Sequence, residues 1–247
     1  MKLERNIKLT VAFEGTAYHG WQSQSNLPTL QGLLSESLAR ITGEQVTLTG
    51  SGRTDAGTHA RGLVANFLTA SRIPPAQFVR ALNSMLPRDV RILSARQAPR
   101  RFHARHDALS KVYRYQIYLG PVMKPHLVRE FYHYPYPINI PRMTEATRSF
   151  EGEHDFAGFA KSSSLPSTTI RRIFRCELTK RGYRLLLTVE GNGFLHHMVR
   201  NMAGTLLEIG KGSISLHELQ DLFVNRDRRL AGFTAPAHGL VLLKVRY

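Results

Sequence analysis

The run Gly50-Ser51-Gly52-Arg53-Thr54-Asp55-Ala56-Gly57-Thr58-His59-Ala60-Arg61-Gly62 sits between two strand-like stretches, 46–49 and 63–69. Strand, glycine-rich loop and strand form the middle of a β-α-β-β-α-β unit, and the flanking sequence supplies the rest. Upstream, Ile7, Leu9, Val11 and Phe13 alternate with polar or small residues, which predicts a half-buried strand ending at Gly15. Leu30, Leu33, Leu34, Leu38 and Ile41 then recur at helical spacing from Thr29 to a stop at Gly43. Downstream, Pro74-Pro75 opens a helix carrying Phe78, Leu82 and Met85, and a strand follows over 90–93.

The second half repeats this order with longer connections. Residues 111–118 alternate as a strand, 121–141 form a proline-studded loop, and Met143, Ala146, Thr147 and Phe150 mark a short helix. Stretches 170–180 and 183–190 read as a hairpin turning at Arg181-Gly182. A helix carries Leu195, Met198, Val199, Met202, Leu206 and Ile209, and Ser215 with Glu218 makes a capping box for another helix through Phe223. A strand over 240–245 closes the chain. The expected fold is α+β, with two ferredoxin-like (β-α-β-β-α-β) halves whose antiparallel sheets flank a central cleft. The first half, 1–105, carries the Asp55 loop. The second, 106–247, carries the Tyr113 strand and a helix with His196-His197-Met198-Val199-Arg200-Asn201.

A formal charge of +16 and a pI near 10.5 call for a polyanionic partner, because unpaired positive charge repels itself until something negative binds. Nucleic acid fits best; a membrane does not, since there is no long apolar run and no outstanding basic amphipathic helix. Residues 1–5 hold no apolar signal core, so the expected location is cytoplasmic. The single cysteine, Cys176, excludes an internal disulfide and a cysteine-cluster zinc site, and is expected as a core residue on a strand.

Within the loop, Asp55 lies between Arg53 and Arg61, and Arg53 is placed to pair with its carboxylate. The glycines permit a tight loop that a ligand can approach closely. A phosphate-binding loop is excluded, because Gly52 and Gly57 have its spacing but Thr58-His59 replaces the lysine it needs. The plain alternative is an Asp that caps its own turn.

Elsewhere, arginines and lysines cluster at Arg96-Arg100-Arg101-Arg105, Arg171-Arg172-Arg175, Lys180-Arg181-Arg184 and Arg226-Arg228-Arg229, a distribution that favours phosphate contact. Tyr113, Tyr115 and Tyr118 interleave with Arg114 as a stacking surface would, yet Tyr113, Tyr115 and Ile117 share one strand face and fit a core equally well. Trp21 is likewise divided between core anchor and stacking residue. His196 and His197, placed on a helix, would point about 100° apart, so no metal is expected there. Glu151-Gly152-Glu153-His154-Asp155 is the one acid cluster and falls at an apparent helix end, which weighs against two-carboxylate hydrolysis.

The pattern Gly-Arg-Thr-Asp-Ala-Gly-Thr-His-Ala over 52–60 resembles the signature of the tRNA pseudouridine synthase A family. The likeness extends to 11–22, Phe102-His103-Ala104-Arg105, Tyr113-Arg114-Tyr115, 193–201 and 234–240. It implies isomerisation of uridine in the anticodon stem and loop of tRNA, with Asp55 as catalytic nucleophile and Arg53 paired to it and admitting the target base. Tyr113 would stack on uracil, and Arg200 and Leu240 would line the cleft. The resemblance further implies a homodimer that tRNA crosses, and no cofactor. The chemistry agrees with a lone acid. Breaking the bond from ribose to N1 and rejoining through C5 needs an anion near an electron-poor centre, but no redox partner and no water. The base must also leave its stack, and Tyr113 is the ring to receive it. Two alternatives stand beside this reading: a noncatalytic RNA-binding protein of ferredoxin-like fold, and a base-removing hydrolase that would release uracil.

Overall fold

A computed structural model describes residues 4–247; residues 1–3, part of the polar N-terminus considered for a signal core, lie outside the described residues. The chain is mixed α+β, with antiparallel strands predominating and five α-helices among the described residues. In order come β1 (Arg5–Phe13), α1 (Leu30–Thr42), β2 (Thr49–Gly50), β3 (His59–Thr69), α2 (Pro75–Met85) and β4 (Val90–Ala98). They are followed by β5 (Ser110–Tyr118), β6 (Tyr132–His133), α3 (Ile140–Thr147), β7 (Gly152–Asp155), β8 (Ile170–Arg181), β9 (Arg184–Gly191), α4 (Met198–Lys211), α5 (Leu216–Asn225) and β10 (Leu240–Arg246). The chain divides into two compact units, Met1–Leu109 with Leu242–Tyr247, and Ser110–Val241. No helix among the described residues is long and apolar enough to cross a membrane.

In the first unit the strands run β4-β1-β3, all antiparallel, with β2 and β10 also beside β3. Register sets the core. Ile7 faces Phe67, Leu9 faces Ala65 and Val11 faces Leu63, so one sheet face is apolar, and these residues are buried. Phe78 of α2 meets Phe67 edge-on at 5.6 Å and helps close that face. α1 begins where Thr29 accepts a hydrogen bond from the Gly32 N–H and ends at Gly43 in the left-handed region, burying Leu30, Leu34 and Leu38. β2 is shorter than expected: with Thr49 and Gly50 alone on the ladder, 45–48 are coil.

In the second unit the order is β5-β9-β8-β7, antiparallel, with β6 parallel to β5. Tyr113 opposes Val189, Tyr115 opposes Leu187 and Ile117 opposes Leu185, which again puts one apolar set on one face. Cys176 opposes Val189 from β8 and is buried, as its sequence setting predicted. The 152–155 segment, expected at a helix end, is a strand paired to β8. The capping box of α5 is complete: Ser215 Oγ accepts from Glu218 N (3.1 Å) and Glu218 Oε2 accepts from Ser215 N (2.7 Å).

α4 carries the tightest packing of the second unit. Segment 231–235 lies directly on Gly204, and a Cβ there would collide with the Phe233 carbonyl. The contact is backbone on backbone, so no rotamer change can relieve it. Gly204→Ala should therefore lower stability by about 2 kcal/mol or more, read as a reduced thermal or urea midpoint.

Candidate active site

The Asp55 loop is held by a second loop, 15–22, through two main-chain bonds and one to a buried imidazole. Trp21 N donates to Thr54 O (3.1 Å), Gly57 N to Tyr18 O (3.3 Å), and Gly15 N to His59 Nδ1 (2.9 Å). Gly20 has φ +84, and a Cβ on it would strike the Thr54 carbonyl, so this approach requires glycine. Trp21 is buried with its indole against Gly50, which settles it as a core anchor. The loop closes on itself where Thr58 N donates to Asp55 O (3.1 Å) and Ser51 N to Val64 O (2.7 Å).

Asp55 is half-buried on this frame. Arg53 is exposed, and its Nε–H donates to Gln22 Oε1 (3.1 Å), so that donor is used on the opposing loop and not on the neighbouring carboxylate. Gln22 Nε2 donates in turn to Gln31 Oε1 (2.9 Å), and Gln31 Nε2 to Leu48 O (2.8 Å). The chain of amides ties Arg53 to the first turn of α1, a link that residue spacing gave no reason to expect. Thr54 Oγ1 and Thr58 Oγ1, on either side of Asp55, are buried without a hydrogen-bond partner among the described residues.

Tyr113, Arg200 and Leu240 belong to the second unit. Tyr113 is buried on β5 and packs edge-to-face on Phe194 with centroids 5.0 Å apart. Its neighbours are fully structural: Tyr115 donates to Pro236 O (2.8 Å), and Tyr118 joins Leu127 and Phe131. Burial pushes the Tyr115 hydroxyl well above its ordinary pKa, against a smaller downward pull from Arg200. Arg200 Nε donates to Ala235 O (2.7 Å), and buried Leu240 begins β10 just beyond the same segment. The structure thus brings Arg200 and Leu240 to the two ends of 235–240 and gives Tyr113 an aromatic neighbour.

His196 and His197 do not lie on a helix. His197 is left-handed (φ 65) and caps α4, whose first residue is Met198, and the two rings pack at 4.2 Å. The expected 100° separation fails because the helix starts one residue too late. His196 also meets Ser164 Oγ through Nδ1 (2.9 Å).

The basic clusters separate by use. Arg228 is tied into the protein, donating to Asn201 Oδ1, Thr234 Oγ1 and Ala231 O, while Arg229 pairs with Asp227 and Arg226 with Asp155. The reading of 226–229 as a phosphate contact is therefore corrected for Arg228: buried Asn201 needs the partner. Arg175 pairs with Glu177, and Arg171 turns back onto the Thr168 and Ile170 carbonyls.

A glycine-framed acid beside an exposed arginine, on a basic α+β chain, fits a nucleic-acid-modifying enzyme. A family model described as tRNA pseudouridine synthase matches residues 9–107 and 146–247, and the chain belongs to that family. Asp55, Arg53, Arg200 and Leu240 fall inside the matched stretches; Tyr113 falls between them. The chain is 43% identical over 244 residues to a protein named tRNA pseudouridine synthase A from Caldicellulosiruptor bescii, covering 98% of this chain and 100% of that one. Identity to the protein of the same name from Pelobacter propionicus is 46%, with the same coverage.

Tyr18 shows what holds the frame. Its hydroxyl donates to Asp89 Oδ1 (2.9 Å), and Glu14 N donates to Asp89 O, so Asp89 anchors the loop facing Asp55. Burial, then Asp89, raise the Tyr18 pKa. Tyr18→Phe should cost about 1–2 kcal/mol. Because the folded-state pKa is the higher one, the wild-type advantage is fully present below the unfolded value of about 10 and is lost as pH rises above it, which urea unfolding at neutral and alkaline pH would reveal.

Proposed function

We propose that this chain isomerises uridine to pseudouridine in the anticodon stem and loop of tRNA, with Asp55 as the attacking carboxylate. The supporting observation is the Asp55 loop itself, a half-buried acid on a backbone-braced frame, in a chain 43% identical along its length to a named tRNA pseudouridine synthase A. A binding module gains nothing from an anion where phosphates gather; an enzyme that must meet an electron-poor centre does.

The reaction balances without a cofactor. The C1′–N1 bond breaks, the base turns, C1′ bonds to C5, the C5 proton leaves and N1 gains one. Asp55 meets the electron-poor atom exposed when the glycosidic bond weakens, as nucleophile or as fixed counter-charge. Arg53, anchored by Gln22, has guanidinium donors beyond its Nε–H with which to receive the displaced base or its phosphate. Tyr113 supplies the ring on which uracil rests, with Phe194 behind it fixing its tilt. Arg200 and Leu240 line the substrate site through their hold on 235–240.

The same proposal takes in two ferredoxin-like halves, supported by the sheet order β4-β1-β3-β2 in the first unit and by β5-β9-β8 with α3 and α4 in the second. It also includes a homodimer and work in the cytoplasm.

Incubation with uridine-labelled tRNA followed by nucleoside analysis should show pseudouridine; free uracil would mean hydrolysis, and unchanged uridine a binder. Asp55→Asn and Asp55→Ala should lose at least about a thousandfold in kcat/KM while tRNA affinity stays within about twofold. Near-normal turnover by either variant removes Asp55 from the nucleophile's role. Tyr113→Phe should retain most activity if stacking is what matters, whereas Tyr113→Leu should lose roughly tenfold or more, in line with the worth of one base–aromatic stack.

A further inference from the structure

The first unit's sheet has two unlike faces. Opposite the apolar one, Lys8 on β1 stands directly across from Arg96 on β4 and from Asn66 on β3, and Thr10 across from Ser94. Like charges directly opposed on antiparallel strands destabilise the pair. Neither Lys8 nor Arg96 has an acidic partner among the described residues. The Lys8 ammonium lies instead 3.7 Å from the centroid of the Tyr247 ring and 4.7 Å from that of Phe102, and the two rings meet at 58° with centroids 5.0 Å apart. Aromatic faces fix a cation without neutralising it. Partial burial and the nearby Arg96 charge both lower the Lys8 pKa, as expected for a cation short of counter-charge.

The loop after β4 is fastened beside this pair. Buried Asn6 directs its Nδ2 at the carbonyls of Phe102 (2.7 Å), Arg100 (3.2 Å) and Pro99 (3.3 Å). Asn66 Nδ2 donates to Asn6 Oδ1 (3.0 Å) and Phe102 O (3.2 Å), its Oδ1 accepts from Ala104 N (2.8 Å), and Tyr247 donates to Ala104 O (2.6 Å). Arg100 and Arg101 are therefore exposed on a loop of fixed course. The acid nearest Arg100, Glu4, is 3.8 Å away with both side chains exposed, which neutralises little.

We infer that this polar sheet face, centred on Lys8 and Arg96 with Arg100 beside them, binds the phosphate backbone of tRNA; the identity of the partner rests on the function proposed above. Opposed cations held in place weaken the free protein, and phosphates that bridge them relieve the repulsion while releasing counterions. Because rings and asparagines already fix the geometry, little ordering remains to be done on binding.

The test is tRNA binding by wild type, Lys8→Met and Arg96→Gln across about 50–200 mM salt, with thermal unfolding in parallel. Methionine keeps the chain length and its contact with the rings. Each variant should raise Kd roughly three- to tenfold and flatten the log Kd against log salt slope by about one, with a Tm at or above wild type. An unchanged slope overturns the inference, whether or not Tm falls, because Lys8 would then serve only the packing of Phe102 and Tyr247. If wild type makes no pseudouridine yet the slopes change, the surface stands and the proposed reaction fails. Pseudouridine formation with unaltered slopes means the reverse.

Discussion

Two main-chain hydrogen bonds and one to a buried imidazole, between 15–22 and 50–59, fix where Asp55 can be. Trp21 N on Thr54 O, Gly57 N on Tyr18 O, and Gly15 N on His59 Nδ1 join two loops that would otherwise move independently. The two backbone bonds suit this role because they have no side-chain rotamers to lose, and burial of the His59 ring restricts the third. The rest of the first unit serves these bonds: β1 leads into one loop and the other runs into the adjacent strand β3, while the Trp21 indole packs against Gly50. Tyr18 and Asp89 anchor the outer loop to the turn before β4.

The second unit solves a related problem differently. Its functional segment, 231–240, has little regular structure and is pinned from several sides. Gly204 lets it approach α4, Asn201 and Arg228 satisfy its polar atoms, and Tyr115 accepts the weight of Gly239 on its ring and bonds Pro236 O. Asn201 also holds Phe159 O, so the 3₁₀ turn near 157–159 and the 231–236 segment share one buried amide. A buried network with every member employed specifies a single arrangement.

Charge has been divided between structure and surface. Arg228 is spent within the protein on amide, hydroxyl and carbonyl groups, and Arg175 on the Glu177 carboxylate at the surface. Lys8 and Arg96 are not, although a neighbouring acid would have stabilised the free chain. Net charge alone predicted an anionic partner without saying which cations would meet it.

Periodicity and capping determined the elements that depend on local rules. Thr29 and Gly43 bounded α1, Pro75 began α2, Ser215 with Glu218 began α5, and the 170–181 and 184–191 hairpin turned at the predicted glycine. Asp55 stood out because glycine spacing and flanking arginines are local facts too. What sequence left open was settled by partners far along the chain. Trp21 became a core residue because Gly50 offers it room, and His196 and His197 left the helix because His197 adopts a left-handed turn at its cap. Arg53 reached Gln22 on the facing loop through its Nε–H, and Arg228 turned inward to Asn201. Local propensity is written in neighbouring residues, whereas the use of a long polar side chain depends on which donors and acceptors the fold brings within about 3 Å of it, and only the tertiary structure decides that.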